Sequence, residues 1–152
     1  IDDHRAVLHG LHWVLKPSAH ILLQMGGHGN AIGMFEVLHG VMNRAPWRSY
    51  FTDFSHPYHF YHTDDYERWL PQHGFEARRI ELIPKQMKHR NSDGLKGWFR
   101  TTWFPYTDQL PVEVREPFID QVIESYLAAY PPDADGTTSV AMVRLEVEAL
   151  RL

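Results

Sequence analysis

The chain has 152 residues, 43% of them hydrophobic and 22% charged, enough for one compact soluble domain and no more. Its formal net charge of −4 argues against a general nucleic-acid binder, whose surface is strongly basic. Cysteine is absent, so disulfides, thiolate nucleophiles and thiolate metal sites are excluded.

The first element read from the sequence is a helix. Asp2 and Asp3 can cap it, and Val7, Leu8, Leu11, Val14 and Leu15 form an apolar stripe. Lys16 and Pro17 end it. His20 to Met25 reads as a short buried strand, stopped by Gly26 and Gly27. Helix, apolar strand and Gly-rich loop in that order are the grammar of an α/β sheet, where ligands bind beyond the carboxyl ends of strands. Residues 26–30 are therefore a candidate functional loop by position. Gly26-Gly27-His28-Gly29 is read as a turn, because the βαβ context of a phosphate-binding loop is missing.

Ile32 to Met42 reads as helical, and residues 47–61 are dense in rings. Thr63 is read as the cap of a helix with Tyr66, Trp69 and Leu70 on one face, ended by Gly74. Phe75 to Ile83 reads as a second strand and residues 84–93 as an exposed loop. Residues 94–110 form another aromatic block. Pro111 opens a helix in which Phe118, Ile119, Val122, Ile123, Tyr126, Leu127 and Tyr130 recur at helical spacing. Val140 to Leu150 is a strand, with Val143, Leu145, Val147 and Ala149 alternating with Arg144, Glu146 and Glu148. Three strands make a small sheet whose edges need covering.

Several of these residues carry a resemblance. Leu15-Lys16-Pro17-Ser18-Ala19-His20-Ile21-Leu22 resembles the step into the fifth strand of class I S-adenosylmethionine-dependent methyltransferases. His73-Gly74-Phe75 resembles their step into the sixth, and Val143 to Ala149 their last, antiparallel strand. Within that superfamily the trans-aconitate methyltransferase group is the most similar. Its likeness rests on Gly97-Trp98, Pro105-Tyr106, Arg115-Glu116-x-Phe118 and above all Ala129-Tyr130-Pro131-Pro132-x-Ala134-Asp135-Gly136. Ile1-Asp2-Asp3-His4 resembles the start of the helix after the family's fourth strand.

The resemblance implies an α/β fold: the C-terminal half of a Rossmann-like methyltransferase sheet, with a mainly helical insertion before a last antiparallel strand. It implies one domain over 1–152 that is the substrate side of a methyltransferase. The Gly-rich turn and the acidic residue that hold the cofactor would lie upstream, so the cofactor-binding N-terminal part is absent and no residue here is assigned to S-adenosylmethionine. Ile1 in place of Met is read the same way, as a chain processed or cut from a longer one. The implied function is S-adenosylmethionine-dependent methyl transfer to a small molecule, at oxygen, by the parent chain, this fragment alone being inactive. The alternative is a non-catalytic substrate-binding or interaction module of methyltransferase descent. Phe104 stands where the trans-aconitate enzyme has an arginine before Pro-Tyr, which counts against a tricarboxylate substrate; Arg100 is a nearby substitute.

Methyl transfer asks a protein for position, exclusion of water and sometimes a base, and histidine suits the last role near neutral pH. The substrate-binding candidates are His28, Asn30, Tyr58, His59, Tyr61, Trp98, Arg100 and Tyr106. His56, His59 and His62 raise a third reading, a metal site. Spacing of three in the extended conformation favoured by Pro57 sends such side chains to opposite faces, so no metal is assigned. No apolar run is long enough to span a bilayer and no signal-peptide pattern opens the chain, so a cytoplasmic protein without membrane or nucleic-acid partners is expected. The open edge of a half sheet predicts homo-oligomers.

Overall fold

The structure is a computed structural model that describes all residues from Ile1 to Leu152. The elements in chain order are α1 (His4–Val14), β1 (His20–Gly26), α2 (Ile32–Met42), a 3₁₀ turn (Trp47–Tyr50), α3 (Thr63–Gln72), β2 (Phe75–His89), α4 (Ser92–Thr102), α5 (Phe104–Thr107), α6 (Val112–Ala129) and β3 (Thr138–Arg151). They gather into two compact units. The first comprises Ile1–Asn30, Tyr58–Lys85 and Met142–Leu152; the second comprises Ala31–Pro57 and Gln86–Ala141. No helix is long and apolar enough to cross a membrane.

The first unit is built on a three-stranded sheet of order β1-β3-β2. β3, last in sequence, lies in the middle and runs antiparallel to β1, with Ile21 opposite Ala149, Leu23 opposite Val147 and Met25 opposite Leu145. At its other side the end of β3 meets the start of β2: the Leu152 N–H donates to the Gly74 carbonyl at 2.9 Å. β3 is thus antiparallel to both neighbours, and β1 and β2 are parallel to each other. Alternation along β3 decides which face is buried. Leu145, Val147 and Ala149 join Ile21, Phe75, Leu8 of α1, and Tyr66 and Leu70 of α3 in one apolar cluster. Arg144, Glu146 and Glu148 point to the opposite face.

Local chemistry sets the helix ends. The Asp3 carboxylate caps α1 by accepting from the Ala6 N–H at 2.9 Å. The cap of α3 is His62, not Thr63: the Asp65 carboxylate reaches back to the His62 N–H at 2.9 Å, and Asp64 and Asp65 place negative charge in the first turn. Gly74 has φ +77, and a Cβ there would lie 2.6 Å from Cε1 of His12, so both backbone and packing require glycine.

β2 is longer than the sequence reading allows. It continues past Ile83 through Pro84 to His89, so most of the stretch read as a loop is strand. The reason is its place at a sheet edge. A proline is tolerated where its missing N–H would face away from the ladder, and Lys85 and Lys88, which suit a loop, also blunt a strand edge.

On the polar face Glu146 is nearly buried. It accepts from Arg79 at 2.7 Å, from Gln24 at 2.9 Å and pairs with Arg144 at 2.7 Å. The Arg79 guanidinium holds its carboxyl below the ordinary 4.5. A depressed carboxylate contributes stability that is present above its unfolded-state value and lost as pH falls through its folded-state value. Urea titrations should show the native chain losing stability below 4.5. Glu146→Gln should start less stable and lose less in that range; an unchanged acid slope in the variant would contradict this account.

The second unit is helical. α2 buries Met34, Phe35, Leu38, Val41 and Met42, and α6 buries Phe118, Ile119, Val122, Ile123 and Tyr126, each set at the spacing of a helix that faces a core. α4 adds Leu95 and Phe99, and the short α5 adds Tyr106. After α6 the chain turns on Gly136, at φ +82. There the Asp133 N–H donates to the Thr137 carbonyl at 2.8 Å and the Asp135 carboxylate accepts from the Thr137 N–H at 2.9 Å. The Ala129 to Gly136 motif is thus the end of α6 and the tight turn that leads into β3.

Candidate functional site

In the first unit the loop after β1 is fixed at three points. The Gly27 N–H donates to the Val143 carbonyl at 3.0 Å, and the His28 N–H to the Tyr61 carbonyl at 2.9 Å. The Asn30 side chain accepts from the Val143 N–H at 2.9 Å. Asn30 is thereby a bracket between loop and strand. His28 is exposed and its ring lies 5.5 Å from that of His62. Gly26 and Gly27 of this loop serve packing. A Cβ on Gly26 would lie 2.6 Å from Cε1 of Phe60. One on Gly27 would lie 2.4 Å from Cδ2 of Leu82 and 2.9 Å from Cβ of Leu145. Side chains of the unit itself already fill the space that a nucleoside or sulfonium group would need beside these backbones. The backbone of Gly26 and Gly27 is therefore closed to such a group.

Residues 58–62 continue the site. Tyr58 stacks on Phe60, with centroids 6.2 Å apart, and burial pushes its hydroxyl pKa up. His59 is exposed and stacks on Tyr61 at 6.5 Å. The Tyr61 hydroxyl donates to the Asp2 carbonyl, and its ring meets His4 edge-on at 4.5 Å and Trp69 at 4.8 Å.

Around Tyr61 the fold assembles a cluster that sequence reasoning missed. His4 Nδ1 and the Tyr66 hydroxyl are 2.8 Å apart, and the same hydroxyl lies 3.3 Å from Met25 Sδ. Imidazole nitrogen accepts far better than thioether sulfur, so Tyr66 donates to His4 Nδ1 and the ring proton sits on Nε2. Burial lowers the His4 pKa from 6.5, which keeps the ring neutral near pH 7. Burial, with the Tyr61 phenol nearby, pushes Tyr66 up to about 12. Neither group is a base in this arrangement. They form a neutral pair beside a cavity of about 460 Å³ lined by Ile1, Val7, Leu23 and Met25. Residues 4 and 66 are too far apart in sequence for any spacing rule to pair them. The available signal was the helical stripe that puts Tyr66 on the buried face of α3.

In the second unit the remaining candidates are engaged within their own surroundings. Tyr106 is fully buried, with its hydroxyl hydrogen-bonded to His56 Nδ1 and its ring 4.8 Å from Phe54. Trp98 packs on His89 at 5.5 Å and Trp103 at 5.8 Å. Both prongs of the Arg100 guanidinium go to Glu116, at 2.7 and 2.6 Å. This pairing lowers the Glu116 pKa and raises that of Arg100. His56, His59 and His62 each have a different neighbour, and no three His, Asp or Glu side chains converge as a metal site.

No protein-family model matches the chain. Over 94 residues it is 26% identical to a protein of Invertebrate iridescent virus 6 named "Putative methyltransferase 235L", a match that covers 60% of this chain and 34% of the viral one. A crystal structure from Bacillus halodurans C-125, named as a "putative methyltransferase", aligns with 96% of this chain and 57% of its own at 14% identity and a TM-score of 0.47. The chain thus spans about a third of the viral protein and somewhat over half of the bacterial one.

Proposed function

We propose that this chain is the acceptor side of a methyltransferase that moves a methyl group from S-adenosylmethionine to an oxygen of a small molecule in the cytoplasm. The observation that carries the reading is the 94-residue similarity to the viral protein named "Putative methyltransferase 235L". The antiparallel last strand supports the same reading. The sulfonium cofactor supplies an activated methyl carbon, and its cradle belongs to sequence outside this chain.

What the chain offers is aromatic wall and polar contact at the carboxyl end of β1. Tyr58 and Tyr61 give half-buried faces that exclude water, and His28 and His59 give exposed imidazoles. One of these imidazoles takes the proton of a hydroxyl acceptor. Asn30 holds the loop in place, while Trp98, Arg100 and Tyr106 shape the second unit. Packing of the loop glycines also favours a second reading, a binding module of methyltransferase descent with no catalysis of its own.

The test is methyl-labelled S-adenosylmethionine supplied to the complete gene product with a panel of small hydroxy and carboxylic acids. Label should appear in an acceptor, and His28→Ala or His59→Ala should lower kcat for hydroxyl acceptors with little change for carboxylates, which need no base. Calorimetry of residues 1–152 alone with S-adenosylhomocysteine should show no binding. No transfer by the complete product would replace the enzyme with the binding module.

A further inference from the structure

Three oxidisable rings stand in contact along one short stretch of the second unit. Trp98 lies on α4, Trp103 is the residue at which α4 ends and α5 begins, and Tyr106 lies on α5. Backbone bonds fix the stretch. The Trp103 N–H donates to the Phe99 carbonyl at 2.8 Å and the Tyr106 N–H to the Trp103 carbonyl at 3.0 Å. The ring centroids of Trp98 and Trp103 are 5.8 Å apart, and those of Trp103 and Tyr106 5.7 Å apart. Rings at such spacing touch, and an electron passes between them without a bridge.

Burial deepens along the series. Trp98 is half-buried and reaches the surface, Trp103 is 2% exposed and Tyr106 is fully buried. Phe99 stacks on Trp103 at 5.6 Å and Phe35 meets it edge-on at 4.5 Å, so the middle of the series is walled by rings. The far end has a proton acceptor. The Tyr106 hydroxyl donates to Nδ1 of His56, whose ring is exposed. A buried phenol that loses an electron becomes a cation unless its proton leaves in the same step, and an apolar site strongly disfavours that cation. His56 is the group placed to receive the proton.

We propose that Trp98, Trp103 and Tyr106 form a relay that carries oxidising equivalents from radical oxidants at the surface to a buried tyrosine, with His56 as the proton acceptor. A one-electron oxidant of the radical class takes an electron from the Trp98 indole and is reduced. Trp103 refills Trp98, and Tyr106 refills Trp103. As Tyr106 gives up its electron its O–H bond breaks and the proton moves to His56 Nδ1. A neutral tyrosyl radical and an imidazolium remain, and both indoles end as they began. The relay needs neither methyl donor nor acceptor and lies wholly within one unit.

Pulse radiolysis of the chain with azide radical, which oxidises indoles, reads the relay as tryptophanyl absorption decaying into tyrosyl absorption. In the first unit Trp69 lies 4.8 Å from Tyr61 and 5.5 Å from Tyr66, so the comparison is made in a Trp69→Phe background. There the tyrosyl signal should grow at a rate independent of protein concentration, and more slowly in heavy water. Tyr106→Phe, which keeps the ring, should lose the signal. Trp98→Phe should reduce its yield, and His56→Gln, at an exposed position, should slow its growth. Near-ultraviolet circular dichroism checks that each variant is folded; if Tyr106→Phe is not, the His56→Gln and heavy-water rates decide. Tyrosyl growth that survives Tyr106→Phe, that scales with protein concentration, or that is as fast in His56→Gln as in the native chain overturns the proposal.

Discussion

Phe75→Ala should lower the unfolding free energy of the first unit by about 3–5 kcal/mol, the usual cost of emptying a large buried aromatic site. The ring is 1% exposed, in one cluster with Leu8, Leu70, Leu145 and Val147, and it meets the His12 ring edge-on at 6.0 Å. It lies immediately after Gly74, whose left-handed backbone aims the strand into the core. Neighbours on two helices and two other strands cannot all collapse into the space it leaves. Against a typical domain stability of about 5–15 kcal/mol, such a loss leaves the sheet marginal. Urea unfolding monitored by backbone circular dichroism measures it. A change below about 1 kcal/mol would mean that the cluster is not tightly packed.

Phe118→Ala should have a comparable effect on the second unit, again about 3–5 kcal/mol. Phe118 is fully buried on α6, its ring 5.1 Å from Trp47 and 5.5 Å from Phe51. The Trp47 indole N–H is itself held by Gln121 Oε1 at 2.5 Å, one turn further along α6. Removing the ring therefore strips Trp47 and Phe51 of their packing on the helix, leaving the Gln121 bond to hold the 3₁₀ turn beside a void. Amide exchange should accelerate at α2 and α6. Exchange faster only at the last turn of α6 would show that the ring is not central.

The elements were legible where one local signal decided them. α2 was read at its observed limits, because its apolar residues recur at helical spacing between a Gly-rich turn and Asn43. β1 and β3 were read from an apolar run and a clean alternation. β2 was cut short because Pro84 and its basic neighbours look alike in a loop and on a strand edge, and only the strand order separates the two. The site was less legible. Asn30 and Arg100 were picked for their chemistry, but the fold gives each a partner, Val143 and Glu116, that no sequence rule places beside it. The pairing of His4 with Tyr66 was missed for the same reason. It depends on α1 and α3 meeting over the sheet, a contact across 62 positions of the chain.

The position of β3 has a consequence for the order of events during synthesis. The strand that both others pair with follows them in sequence. Until Leu145, Val147 and Ala149 are available, α1, β1 and α3 have made only part of their apolar cluster, and β1 and β2 lack the strand they share. The three-stranded ladder therefore cannot form before β3 is made, whereas α2, α4 and α6 of the second unit all precede β3 in the chain. The sheet closes late, through contacts of long sequence separation, the slow kind. Until then the backbone of β1, a strand without an acidic or basic residue other than histidine, has no partner in β3.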